Sequence, residues 1–302
     1  QIVKPQRAQA IEGLAAGLGF LDDAGFAFEI ILEPGGKLGP FGARHVGAVK
    51  RAKLHRHNPQ TGNTRRYDLP LHASALALAE GGLIMIGDLE VGRYDTATED
   101  YERVITLNEP EGFRSNDGGM APDGCFWFGT MDDNETLPEG QYYRLLPDLS
   151  VERIGLPEVL VTNTMQFSPD GSTFYTSDSA EQTILAFDHD VRSGALSNRR
   201  VFASTFDAGC YPDGSAIDQD GYLWNAQWGA ARVAQYAPDG TFMQAIAFPA
   251  SQTSCPAFGG PDLTTLYCTS ATGGMDAPAP DDGKTFAIQT TTKGQAEHRV
   301  IL

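Results

Sequence analysis

The chain has 302 residues, enough for one large β domain or two ordinary ones, and enough to bury a sizeable core either way. Its 39 acidic and 22 basic residues leave a formal charge of −17, which repels phosphate backbones and anionic lipid and argues against a nucleic acid or a membrane surface as partner. Thirty-four glycines and eighteen prolines are spread through the chain, which suits many short strands joined by tight turns, while three tryptophans and ten tyrosines among them argue for packed structure.

Residues 1–25 show little pattern and are expected to form an N-terminal extension to a domain spanning 26–302. They lack the compact apolar block of a secretory signal, and no run approaches the roughly 20 apolar residues that span a bilayer, so a cytoplasmic location is expected. A strand near Phe26 to Leu32 is expected to close the fold by pairing with C-terminal strands near Thr285 to Ile301.

From there one unit recurs. Strand ends at His55-Arg56-His57-Asn58, Gly92-Arg93-Tyr94-Asp95, Tyr143-Arg144-Leu145-Leu146, Leu185-Ala186-Phe187-Asp188, Gln235-Tyr236-Ala237 and Phe286-Ala287-Ile288-Gln289 follow one another at 37 to 52 residues. A second series keeps step with it: Glu80-Gly81-Gly82, Pro122-Asp123-Gly124, Pro169-Asp170-Gly171, Asp220-Gly221 and Pro261-Asp262-Leu263, each a turn followed by an apolar strand. A single small sheet cannot cover both of its faces, so such units stack around an axis. The expected fold is all-β, a six-bladed β-propeller of four-stranded antiparallel sheets.

Polar residues at inner strand ends of a propeller converge on its central channel. Three sets precede the recurring turns: Arg114 with Asn116 and Asp117, then Asn163, then Asp213. Singly, each reads as an ordinary turn residue bonding its own backbone. Placed alike in three consecutive blades, they read as one site. Their oxygens suit a divalent cation such as Ca²⁺, Mg²⁺ or Mn²⁺, with Fe²⁺ and Zn²⁺ also admissible. Such an ion polarises an ester carbonyl and acidifies bound water, and Arg114 is placed to hold substrate hydroxyls or the carbonyl, or to pair with an acid such as Glu111.

Other residues carry less. The cysteines, Cys125, Cys210, Cys255 and Cys268, form no CxxC pair and read as buried filler. His55 and His57 alternate on one strand and read as solvated. Asp132, Asp133, Glu135 and Glu139 read as a solvated charge run or a lid at the channel mouth. No GxSxG elbow or HExxH occurs, which disfavours a serine hydrolase or a zincin.

Over residues 53–302 the chain resembles the gluconolactonase and regucalcin (senescence marker protein) family of six-bladed propellers, most nearly bacterial sugar lactonases such as xylonolactonase. The motifs that carry this are Arg114-Ser115-Asn116-Asp117-Gly118 with Phe126-Trp127-Phe128-Gly129-Thr130-Met131, Asn163 with Phe167-Ser168-Pro169-Asp170-Gly171, Tyr211-Pro212-Asp213-Gly214 with Gly221-Tyr222-Leu223-Trp224, and Cys255-Pro256-Ala257-Phe258-Gly259-Gly260. The resemblance implies that Asn163 and Asp213 bind one divalent metal ion, that Arg114 and Asn116 contact a sugar lactone, and that Asp213 is the base for water attack. It also implies a third ligand, a glutamate in a Leu-Gly-Glu-Gly-Pro type motif. Here the corresponding run reads Leu38-Gly39-Pro40-Phe41-Gly42, without that glutamate. Glu33 is the expected substitute, and His45 a weaker one. The expected activity is metal-dependent hydrolysis of a sugar (aldono) lactone to the open-chain acid. The alternatives are a propeller that binds metal or sugar acid without turnover, and an esterase acting at the same site.

Overall fold

In a computed structural model of the chain, residues 52–57, 64–80 and 82–301 are described, together with the strand placement of Ile2–Val3, Gln9–Ala10, Ile30–Leu32 and Arg44–Ala48. The described residues build an all-β propeller of small sheets. In each sheet an inner strand leads outward through consecutive antiparallel neighbours, as Phe113–Met120, Phe126–Asp132, Gly140–Leu145 and Val151–Val159 do. The inner strands Ala73–Ala79, Phe113–Met120, Thr162–Phe167, Tyr211–Ile217 and Thr253–Gly259 are neighbours in that order, and Ile30–Leu32 lies between the last and the first.

The apolar strands are short and nearly continuous because both of their faces are covered. In Gly82–Gly87, Leu83 and Met85 join one cluster with Leu54, Tyr67 and Tyr94, while the alternate residues Ile84 and Ile86 join another with Phe126 and Phe128. Trp127, between those two phenylalanines, faces the opposite way and packs on Phe167 and Phe174 of the next sheet. Tyr175 and Leu223 fill the following interface, and Trp224, Phe258 and Phe286 the one after. Each large side chain so buried contributes about 2 to 3 kcal/mol of apolar transfer, which is why the sheets hold together only as a stack.

The recurring turns behave as their sequence dictates. Gly124, Gly171 and Gly221 take φ of +86°, +72° and +84°, and Asp123 and Asp170 accept hydrogen bonds from the backbone N–H two residues on. In the fifth turn Leu263 adopts φ +60° without a glycine.

Two expectations are corrected. The first is six blades of four antiparallel strands: among the described residues the four-stranded sheets number five, and the sheet that holds Tyr211–Ile217 has five strands, with Ile2–Val3 added parallel to Phe242–Ala247. An outer edge strand offers unpaired N–H and C=O groups, and here the N-terminal segment takes them up. The second concerns closure. Ile30–Leu32 pairs with Arg44–Ala48, whereas the outer edge of Phe286–Gln289 is taken by Gln9–Ala10.

The C-terminal segment crosses the far ends of the inner strands. Gln295 N–H donates to Ile217 O, Val300 N–H to Leu78 O and Ile301 N–H to Gly124 O. Among the described residues no helix is long and apolar enough to cross a membrane. All four cysteines are buried, and so are His55 and His57, against expectation.

Candidate functional site

Five of the inner strands share one irregularity. Ser115 pairs with Thr130 and Gly118 with Phe128, so the inner strand carries one residue more than its partner over this step. The same β-bulge lies between Asn163 and Gln166, between Pro212 and Ser215, and between Thr253 and Pro256, and a shorter step of the same kind between Ala73 and Ala75. A bulge leaves its extra residue out of the ladder and re-aims side chains, which here gathers polar groups at one end of the channel. Asn116 and Asp213 are each the first residue of their bulge, the place held in the other strands by Ser74, Thr164 and Ser254. Thr164 reaches it with φ +58°. Asn163 sits one position earlier, still paired with Ser177, and so corresponds to Ser115 and Pro212.

A continuous set of hydrogen bonds ties these residues together. Arg114 donates from Nη1 to Asn116 Oδ1 (2.6 Å) and to Ser115 O (3.0 Å). Asn116 Nδ2 donates to Thr162 O (2.7 Å) and lies 3.4 Å from Asn163 Oδ1. The Asn163 amide donates to Ser179 Oγ (2.8 Å), and that hydroxyl donates to Pro212 O (2.7 Å), the residue before Asp213. Asp213 is anchored through its own carbonyl, which accepts from Thr164 Oγ1 (2.7 Å) and Asn225 Nδ2 (2.9 Å). Gly214 N–H donates to its carboxylate Oδ1 at 2.9 Å.

The electrostatics are unusual for carboxylates. Asp213 is 8% exposed, and burial followed by repulsion from Asp117 pushes its acid well above the ordinary range, against the pull of the Gly214 N–H and Arg114. Burial also pushes Asp117 up to about 6, although Gly118 and Met165 N–H groups donate to its two oxygens. Among the described residues no Lys, Arg or His forms an ion pair with either acid. Asn163 Oδ1 and the second oxygen of Asp213 are therefore hard oxygen acceptors without a strong partner, a donor set that fits a divalent cation. No three His, Cys, Asp or Glu side chains converge among the described residues, so an ion held here would rest on amide as well as carboxylate oxygen.

Arg114, Asn116, Asn163 and Asp213 are thus brought together, and Glu33 lies outside the described residues. His45 falls within Arg44–Ala48, of which only the strand placement is described. Sequence reasoning did not find Ser179, Thr164 or Asn225, whose hydroxyl and amide groups are indistinguishable from any other until the bulges bring them together. For Asp133 it offered only a solvated charge run or a lid at the channel mouth. Asp132 accepts bonds from Asn134 N–H, from Thr136 N–H and Oγ1, and from Leu137 N–H, which folds the loop. Those bonds hold its carboxyl down at about 2. The loop then sets Asp133 Oδ1 against Arg114 Nε at 2.7 Å, so the partner of Arg114 is Asp133 and not Glu111.

Volume alone points elsewhere. A groove of about 540 Å³ lies outside, between Val151–Val159 and the Thr183–Ser204 hairpin, lined by Arg144, Arg153, Phe187 and Arg199. A much smaller cavity of about 30 Å³ lies in the channel beyond the site, against Asp117, Gln166, Ser215 and Glu297. Chemistry follows convergent buried polar groups rather than volume, and those lie at the bulges.

Comparison with known proteins agrees with this architecture. Residues 48–272 match the family model described as SMP-30/Gluconolactonase/LRE-like region. The chain is 34% identical over 259 residues to L-arabinolactonase of Azospirillum brasilense, covering 83% of this chain and 85% of that protein. It is 30% identical over 265 residues to pentonolactonase XacC of Haloferax volcanii, covering 83% and 88%. The solved structure of a calcium-binding protein, regucalcin, from Agrobacterium tumefaciens strain C58 superposes with a TM-score of 0.89 at 28% identity, covering 100% of both chains. Three-quarters of its length lying within one family model, the chain belongs to the SMP-30/gluconolactonase/LRE-like family.

Proposed function

We propose that the chain hydrolyses a sugar (aldono) lactone to the open-chain sugar acid at the bulged ends of its inner strands, with one divalent metal ion as cofactor. The observation that carries this reading is the hydrogen-bonded set Arg114–Asn116–Asn163–Ser179–Pro212, ending beside the buried Asp213, in a chain whose relatives include named lactonases.

In this reading Asn163 and Asp213 hold the ion through oxygen, and Glu33 supplies the third protein ligand. When bound, such an ion supplies Lewis-acid polarisation of a carbonyl and acidifies a bound water. Arg114 and Asn116 orient the lactone. Arg114 Nη2 has no partner among the described residues and is left to donate to a substrate hydroxyl or to the carbonyl oxygen. With its second oxygen given to the ion, Asp213 would take the proton of the attacking water on Oδ1, which among the described residues accepts a single bond, from Gly214 N–H. The water oxygen bonds to the carbonyl carbon, the ring C–O bond breaks, and the proton taken by Asp213 passes to the ring oxygen, which leaves as a hydroxyl while Asp213 returns to its carboxylate form.

The test is pH-stat titration of acid release from several aldonolactones, before chelation, after chelation, and after return of single metals. A rate above background that chelation abolishes and metal restores is expected. Absence of any such rate, with metal binding still seen by calorimetry, would instead favour a propeller that binds without turnover.

A further inference from the structure

We propose that Asp133 is a positioning residue that makes Arg114 favour the neutral lactone over the anionic sugar acid formed from it, so that the 132–137 loop promotes product release. This inference rests on the lactonase reading. Hydrolysis adds water across the ring C–O bond and leaves, at neutral pH, a carboxylate and a proton. An unencumbered guanidinium grips a carboxylate through two parallel N–H bonds, and a site built around one would retain its own product.

In this protein both forks of Arg114 are blocked. Nε is taken by Asp133 Oδ1 at 2.7 Å, which removes the Nε–Nη2 side. Nη1 is taken by Asn116 Oδ1 at 2.6 Å and by Ser115 O at 3.0 Å, which removes the Nη1–Nη2 end. Only Nη2 remains, and its two N–H bonds diverge from one nitrogen, so they serve a hydroxyl or a carbonyl but cannot form the parallel pair that clamps a carboxylate. The charge of Asp133 also offsets that of Arg114 beside the site, and because Asp133 is 41% exposed this part of its effect is open to screening by salt. The position of Asp133 is built in. Asp132 folds the loop through its hydrogen bonds to Asn134, Thr136 and Leu137, and Asp133 N–H donates to Gly112 O at 2.9 Å.

Two substitutions separate fork from charge. Asp133→Ala frees the Nε–Nη2 fork and removes the charge, while Asp133→Asn removes the charge and keeps an acceptor for Nε. Gluconate affinity, measured by calorimetry and as the product inhibition constant, should tighten about tenfold in Asp133→Ala. In Asp133→Asn it should tighten roughly threefold, an effect that fades at high salt. KM for the neutral lactone should not fall in either variant. Gluconate affinity that is unchanged or weaker in both variants overturns the proposal, as does a parallel tightening of lactone and acid. Because gluconate binding is read directly, a wild-type protein without turnover counts against the lactonase reading alone, and the same affinity ratios still decide the role of Asp133.

Discussion

Asn116 and Asp213 occupy the same step of two inner strands, each the first residue of a bulge that makes its strand one residue longer than its neighbour. The strand between them breaks the pattern. Its equivalent residue, Thr164, uses its hydroxyl to hold Asp213 by the backbone carbonyl, and the site's amide comes from Asn163 one position earlier. The scaffold thus fixes Asp213 through main-chain atoms and leaves the carboxylate for chemistry.

That division predicts how Asp213→Asn behaves. The substitution keeps the carbonyl that Thr164 and Asn225 bond, and it removes a buried carboxylate that Asp117 repels. Lactone turnover should fall by at least about 100-fold, the lower end of what a positioned proton acceptor contributes. In metal-free buffer the variant should melt no lower than wild type. Retained turnover would remove Asp213 from the mechanism, and a collapsed fold would show that its carboxylate is structural.

The inner strands also approach one another closely enough to be tested with a methyl group. A Cβ at Gly119 would lie 1.8 Å from Met165 O on the adjacent inner strand, whereas one at Gly155, on an outer strand, meets nothing within 4 Å. Gly119→Ala should cost about 3 kcal/mol, because neither backbone can retreat without disturbing the bulge beside it. Gly155→Ala should stay within about 0.5 kcal/mol of wild type. Urea unfolding of the two variants gives the comparison, and equal midpoints would mean that the inner strands stand further apart.

Much of this fold is legible in the chain because its devices are chemical. Asp123-Gly124, Asp170-Gly171 and Asp220-Gly221 spell turns that need positive φ, and Phe126-Trp127-Phe128 is apolar without alternation because its two faces meet different sheets. What escapes has no compositional mark. A bulge adds one residue to a strand without changing its composition, so Asn163 and Asp213 look equivalent when they are one step apart. Edge strands as short as Ile2–Val3 and Gln9–Ala10 are too brief to show any period, and they alter the strand count and the closure. Asp132 and Asp133 sit in an acidic run of the kind that is ordinarily solvated, and only the fold reveals that one shapes the loop while the other holds Arg114. The site residues were recognisable by type, but their division of labour depends on hydrogen bonds between strands far apart in sequence.

Asp117 gives the clearest dependence on pH. Its folded acid stands near 6 against 3.8 for an exposed one, so between those values the folded chain holds a proton that the unfolded chain has released. Stability contributed by this group is therefore lost as pH rises from about 4 to about 6 and changes little above that, by on the order of 2 kcal/mol in total. In Asp117→Asn, stripped of divalent ions, that decline should disappear: wild type and variant should stand closest at pH 4 and separate, with the variant the more stable, by pH 7. The variant keeps one acceptor oxygen for the Gly118 and Met165 N–H groups and loses the other, which costs a roughly constant amount at every pH, so the change in the difference between pH 4 and pH 7 carries the result. A difference that stays flat across this range would mean that Asp117 titrates as an exposed carboxylate and that the channel around it is wetter than its burial implies.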